Sequence, residues 1–471
     1  MGRFGVEKLQ LYARAPIGSG EDEVQSEKVL LLQIWLKRIT VPAADEEPRF
    51  LLPGQQPAIH GLAWADDFDN NVTIWDGVTV MTVDPNRWHP DLRLELESGE
   101  VLEGIAIFNA SAETKPGSQT HPFDFTFPLP TGGHGVGHCF KLWEASFPDN
   151  KAPFCLPPSS AALCHRLAPP AAATPSSPAL WAVLSPLRKP PHLAWQGHVA
   201  ATASRLTYFL TYLLSVGGSG LLSYADPLTS QALERSPHIQ RFLREGRLLF
   251  VTWDMMERRT YNYDHQIVYN HVLLGLSGCG TNLWLQFLDL DEMLFSAYGS
   301  RWSDMYACLA ASARARAAAA AAPSAASAAA TFKLHRVDIL SGAVGPDDEA
   351  GLWAAPPRSG APHPLTKYDR IARRPHPLWY GKFLAAPAYR FIHAIVHYAE
   401  PTLGAWYEGN ATCAFVLHVR NYWRVRSHDT PTEFEPLKLL ARQAQALVRV
   451  AGNEALGDNG NGGTSGRMRR H

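Results

Sequence analysis

The chain of 471 residues is long enough for two or three domains, and its 46% hydrophobic content supplies a large core. Only 18% of the residues are charged and the formal net charge is -1, which excludes a general pull toward nucleic acid or an anionic membrane surface. A phosphate-bearing ligand must therefore be held by a local site.

Residues 1–27 are polar and read as a flexible lead, without the apolar core of a signal peptide. Residues 28–147 read as a β-rich accessory module. Val72 to Trp75 and Val78 to Val83 are β-rich and flank Asp76-Gly77, a hairpin signal, and Leu92 to Leu96 alternates apolar and polar. Residues 148–192 are rich in Pro, Ala and Ser and read as a linker.

From residue 193 to 451 helix and strand patterns alternate, which predicts an α/β domain with a mostly parallel sheet. Its expected elements are a helix over Arg205 to Leu214, a strand over Gly220 to Tyr224, a short helix over Pro237 to Arg244 and a strand over Arg247 to Trp253. A helix over His265 to Leu276 and a strand over Leu283 to Leu288 follow. Residues 309–330 are almost all Ala and Ser and read as a low-complexity insertion with no face to bury. The stretch 452–471 reads as a disordered tail. No run reaches the roughly 20 apolar residues of a membrane-spanning helix.

The residues that carry chemistry stand at Phe287-Leu288-Asp289-Leu290-Asp291-Glu292. On an extended backbone Asp289 and Asp291 share one face, their Cα atoms about 7 Å apart. They follow a buried strand, and open α/β sheets bind ligands at the carboxyl ends of strands. Two adjacent carboxylates repel unless a cation separates them. A divalent ion such as Mn²⁺ or Mg²⁺ would resolve this and leave positions open for a diphosphate. The bland alternative is a polar loop that caps the next helix. A glycoside hydrolase is a rival, but Glu292 follows Asp291 directly and would point to the opposite strand face.

This block, with Gln266-Ile267-Val268-Tyr269-Asn270-His271 before it, resembles glycosyltransferase family 92. Gly381-Lys382, the His393 and His397 segment, and Leu417-His418-Val419-Arg420-Asn421-Tyr422 also resemble that family, over about residues 195–425. The resemblance implies a GT-A fold and sugar transfer from a UDP-sugar to a glycan, with β-galactosyl transfer known in the family. The chain departs from the family pattern at His198 to Thr202 and Tyr208 to Tyr212.

Asp289, Asp291 and His418 are then the expected metal ligands. Tyr224, Asp226, Trp253, Gln266, Asn270, Asp289, Lys382 and Arg420 are the expected donor-binding residues. Catalysis is expected at Asp291, with Glu292 and Glu408 both open as the base. Six cysteines and three Asn-x-Ser/Thr triplets point to an oxidising compartment, and the resemblance implies the Golgi lumen or secretory pathway. The expected partners are a nucleotide sugar and a glycan acceptor, with a membrane reached only through an anchor that this sequence lacks. A non-catalytic glycan-binding or scaffold protein is the alternative.

Overall fold

A computed structural model describes residues 7–17, 26–39, 58–66, 90–109, 120–129, 138–156, 161–168, 177–187, 194–253, 261–296, 301–319, 329–358, 361–389, 391–401, 405–423 and 434–436. The hairpin expected at Asp76-Gly77 and the tail from 452 lie outside them.

The N-terminal part is built from β1 (Glu7–Ile17), β2 (Ser26–Ile39), β3 (Ala58–Asp66), β4 (Leu92–Glu95), β5 (Val101–Glu103), β6 (Ile105–Asn109), β7 (Thr120–Pro128), β8 (Cys139–Glu144) and β9 (Ala152–Cys155). They form two antiparallel sheets, ordered β1-β2-β3-β7-β6 and β5-β4-β8-β9. Leu32, Ile34, Phe127, Leu94 and Leu142 from both sheets share one core. The flexible lead expected over 1–27 is corrected here. Leu9, Leu11, Ala13, Ala15 and Ile17 alternate along β1, which pairs with β2 over its whole length.

The linker expected over 148–192 is also corrected. It holds β9, α1 (Ala161–Leu167) and β10 (Ala179–Leu187), and β10 is buried on both faces. A near-continuous apolar run is what a central parallel strand requires, and the Pro, Ala and Ser on either side hide it in the composition. The chain continues through α2 (Trp195–Ser215), β11 (Gly220–Ala225), α3 (Pro227–Glu234), α4 (Gln240–Arg244), β12 (Leu248–Thr252), α5 (Tyr261–Leu276), β13 (Leu283–Leu288) and β14 (Glu292–Phe295). After these come α6 (Trp302–Ala319), β15 (Ala329–Leu334), β16 (Arg336–Ser341), α7 (Pro346–Ala354), β17 (Tyr368–Ala372), β18 (Lys382–Ala385), β19 (Phe391–Ile395), β20 (Tyr398–Pro401), β21 (Ala405–Glu408), β22 (Phe415–Val419) and β23 (Phe434–Pro436).

The protein is thus mixed α/β. Its large sheet has the order β12-β11-β10-β13-β18-β15-β21. The first four strands are mutually parallel, and β18 runs antiparallel to both its neighbours, β13 and β15. A smaller sheet, β14-β22-β16-β17-β23, continues from the end of β13. Helix α2 ends at a Schellman turn. Gly217 has φ 87, and the Gly217 and Gly218 N–H groups donate to the Leu214 and Leu213 carbonyls.

Helices cover both faces of the large sheet. Helices α2 and α6 pack on one face with Leu184, Leu221 and Trp284, and α5 packs on the other with Val183, Leu222 and Phe287. The low-complexity insertion expected over 309–330 is corrected too. Helix α6 runs into it, and Trp302, Met305, Leu309 and Ala313 form the buried stripe. The alanines extend a helix whose anchoring face lies mostly upstream of them.

Trp35 of β2 stacks on Trp253 at 5.3 Å, and the buried Lys37 ammonium donates to the Gly275 carbonyl. The five-stranded sheet therefore docks directly on the α5 face. Three disulfides, Cys139–Cys155, Cys164–Cys279 and Cys308–Cys413, take up all six cysteines and fit an oxidising compartment. Among the described residues, no helix is long and apolar enough to cross a membrane.

Candidate functional site

The strand order reverses direction between β10 and β13, the first and fourth strands of the large sheet in chain order. A doubly wound sheet opens a crevice at the carboxyl ends of such a pair. The Asp289 to Glu292 segment lies there. Residues 290 and 291 form a turn, closed by the Glu292 N–H donating to the Asp289 carbonyl at 3.0 Å. The turn hands the chain from the large sheet to the small one. It also overturns the shared-face geometry expected for Asp289 and Asp291, because their backbone is bent rather than extended.

The two acids consequently meet different partners. Asp289 accepts from Ser185 Oγ at 2.7 Å and from Lys382 Nζ at 2.8 Å, and His265 Nε2 is 3.4 Å away. Ser185 is presented by the end of β10, where Pro186 interrupts the ladder and the register shifts. Burial pushes the Asp289 carboxyl up, but the Lys382 ammonium and the His265 imidazole outweigh it and hold that carboxyl well below its usual range. Lys382 is 1% exposed. Its ammonium provides a buried countercharge to Asp289.

Asp291 lies 3.7 Å from His418 Nε2, and the other nitrogen of that ring, Nδ1, donates to Asp338 at 2.7 Å. His376 Nε2 donates to the same Asp338 oxygen at 2.9 Å. Strand pairing fixes this chain, because His418 of β22 is in register with Asp338 of β16 on one side and Glu292 of β14 on the other. Burial would lower the His418 pKa, but its bonds to Asp291 and Asp338 prevail and raise it to about 9. Two ligands of one divalent ion stand about 3–4 Å apart, and a metal-bound His characteristically donates its other N–H to a carboxylate. Asp291 and His418, backed by Asp338, meet both conditions. Among the described residues no group of three or more His, Cys, Asp or Glu side chains could hold a metal ion. Mg²⁺-type sites commonly need only one or two protein ligands when a diphosphate and water complete the shell.

Glu292 does not point away from the site as a strand residue would. It folds back to accept the Asp289 N–H at 2.8 Å, with Lys382 Nζ at 3.3 Å and Arg336 Nη1 at 3.7 Å. It is fully buried, and burial raises its pKa although Lys382 opposes this. Such a carboxylate braces the turn and is closed to solvent. Glu408 ends β21 and pairs with His335 at 3.3 Å. It is in register with Lys333, on the same sheet edge as Lys382. Three strand spacings, roughly 14 Å, separate it from Asp289.

Several expected donor-binding residues have other work. Tyr224 is buried and its hydroxyl meets His271 Nδ1 at 2.8 Å. Trp253 is sandwiched in the core by Trp35, Tyr224 and His271. Asp226 caps α3, accepting from the Leu228 and Thr229 N–H groups at 3.0 and 2.9 Å. The Asn270 amide donates to the Ala394 carbonyl and accepts its N–H, at 2.8 and 2.7 Å, which pins β19 to α5. The side chains of Gln266 and His393 lie outside the described residues. Arg420 is buried just past His418, with its backbone N–H directed at the Ile339 carbonyl.

Residues that pattern reading passed over complete the site. Ser185 sat in the supposed linker. Asp338 is a lone acid in an apolar strand, and that anomaly was the available signal. His265, Arg336 and His376 carried none. Arg205 of α2 stacks over Trp423 at 4.2 Å and adds positive charge near Asp291. No family model matches the chain, and no curated protein matches it.

Proposed function

We propose that the protein is a glycosyltransferase of GT-A type that moves a sugar from a UDP-sugar donor, galactose by resemblance, to a glycan acceptor in the secretory pathway. The observation that carries this reading is the Asp338–His418–Asp291 chain at the carboxyl ends of β10 and β13. A Mn²⁺ or Mg²⁺ ion would be held by Asp291 and His418 and would stabilise negative charge on the departing diphosphate. Asp338 fixes the His418 ring, leaving Nε2 directed at Asp291. Lys382, with Arg336 beside Glu292, offsets the charge of Asp289 and Glu292, so the turn keeps its shape next to an anionic ligand. Arg205 brings positive charge near Asp291.

The test is calorimetry of UDP with and without Mn²⁺. Binding that requires Mn²⁺ and is lost in Asp291→Asn supports the reading, and equal or absent binding in both conditions overturns it. One observation favours a second reading. The Lys382 ammonium at Asp289 replaces the cation expected there, as in a transferase domain that has become a glycan-binding scaffold. Donor hydrolysis that disappears in Asp291→Asn excludes that alternative.

A further inference from the structure

Two large aromatic side chains stand side by side in solvent at the edge of this site. Trp379 is 65% exposed and Tyr380 48%, with ring centroids 6.2 Å apart. They belong to a short 3-10 turn, Leu378–Tyr380, that ends where β18 begins at Lys382. Because β18 is antiparallel to β13, this turn projects from the sheet edge that carries the Asp289 turn.

The platform is rigidly seated. The His376 N–H donates to the Arg336 carbonyl, and the Tyr380 and Gly381 N–H groups donate to the Pro377 and Leu378 carbonyls. The Tyr380 ring stands nearly perpendicular to those of His376 at 6.4 Å and His397 at 6.1 Å. His397 Nδ1 donates to the Gly381 carbonyl at 2.8 Å, and His376 is itself held by Asp338. A Cβ at Gly381 would lie 2.1 Å from the Leu334 carbonyl oxygen, so the backbone there has no freedom to shift. Two rings that keep this much of their surface open to solvent on a turn held in this way offer a seat to a flat apolar ligand.

We infer that Trp379 and Tyr380 form a stacking seat for a pyranose ring. The partly positive C–H groups on the apolar face of a sugar meet the negative face of an aromatic ring, while its hydroxyls remain at the polar rim offered by His376 and the Tyr380 hydroxyl. Size separates this occupant from a protein. The two exposed rings offer roughly 250 Å², against about 800 Å² per partner in a stable protein interface. Position separates it from the nucleotide base. The crevice of a doubly wound sheet opens between β10 and β13, and the platform lies on the β18 side, beyond Asp289. As an acceptor seat it rests on the transferase reading; as a pyranose site it stands without it.

The test is saturation-transfer NMR on the whole protein with methyl β-D-galactopyranoside, methyl N-acetyl-β-D-glucosaminide and methyl α-D-mannoside as probes. UDP with Mn²⁺ is run in parallel. At least one pyranoside should receive saturation, mainly on the C–H protons of one ring face. Trp379→Ala and Tyr380→Leu should weaken that binding at least about tenfold, a loss of about 1.4 kcal/mol. Trp379→Tyr should retain it, and the melting temperature should stay that of the wild type. Absence of transfer from all three probes, or undiminished transfer in both truncations, overturns the inference. Loss of UDP binding in Trp379→Ala with pyranoside binding intact would make the platform a base seat and also overturns it. Pyranoside binding that depends on Trp379 while UDP fails to bind leaves the seat standing and sinks the transferase reading alone.

Discussion

Lys382→Met isolates the electrostatic core of the site. Methionine keeps most of the length of the stem and deletes the ammonium that lies 2.8 Å from Asp289 and 3.3 Å from Glu292. Two carboxylates are then left adjacent, Glu292 fully buried and Asp289 with its side chain 18% exposed. Removing one partner of a buried pair costs about 3–5 kcal/mol. Arg336 beside Glu292 and His265 beside Asp289 offset part of this, which favours the lower end, about 3 kcal/mol. At about 2–4 °C per kcal/mol for a domain of this size, the melting temperature should fall by about 6–12 °C at pH 7.5. The pH dependence has a definite sign. Without Lys382 the folded-state carboxyl pKa values lie above their unfolded values, so the deficit should shrink as pH falls toward 5, where one carboxyl takes a proton. Adding Asp289→Asn should recover part of the loss, because the two changes act on one cluster. Calorimetric melting with disulfides oxidised reads all of this. A variant that melts within 2 °C of the wild type, or whose deficit grows on acidification, would refute the assignment of Lys382 as the internal counter-ion.

Three other outcomes are expected. Asn270→Ala should cost about 2–4 kcal/mol in urea unfolding, because it strands the Ala394 N–H and carbonyl. UDP affinity should not change; a selective loss of affinity with full stability would restore Asn270 to the donor site. In EDTA-treated protein, stability should decline as pH rises from about 6.5 through 9, since the folded-state pKa of His418 is raised to about 9 and its contribution is complete only below the unfolded value. His418→Gln should flatten that slope, and an equal slope in the variant would show that another group titrates. Gly381→Ala forces a Cβ onto the Leu334 carbonyl and should cost about 1–3 kcal/mol. Wild-type stability would mean that the Leu378–Tyr380 turn yields more easily than its packing indicates.

The parallel strands were legible wherever an apolar run stood between clear breaks, as at β11 and at β13, whose limits Leu283 and Leu288 the pattern gives residue for residue. Patterns averaged over long windows failed. Nine strand residues at Ala179–Leu187 disappeared into a stretch of Pro, Ala and Ser, and a helix was missed because its anchoring face lies mostly before the alanines. At the site, Asp289, Asp291, Lys382 and His418 were picked out, and the structure brings them to one seam. Their pairing was not legible, since it depends on a bend at residues 290 and 291 that two-residue spacing cannot reveal. Trp253 and Tyr224 misled for another reason. A strand end marks a binding edge only if nothing packs over it, and here β2 and α5 supply the cover, while Asn270 on α5 is taken up by β19. Which distant strand will do so is a property of topology.

The place of β10 has a practical consequence. The strand that joins β11 to β13 is the first of the large sheet to be made, and it lies upstream of residue 193, where composition would place the start of the domain. A gene trimmed to begin at residue 193 would encode β11 and β13 without the strand that joins them. Their edges, buried and apolar, would face each other across a gap of one strand width. It would also lack Cys164, leaving Cys279 with an unpaired thiol. Such a product should emerge as aggregate during expression. Attempts to make a minimal version of this protein should keep everything from Cys164 onward, together with the β2 segment whose Trp35 covers Trp253.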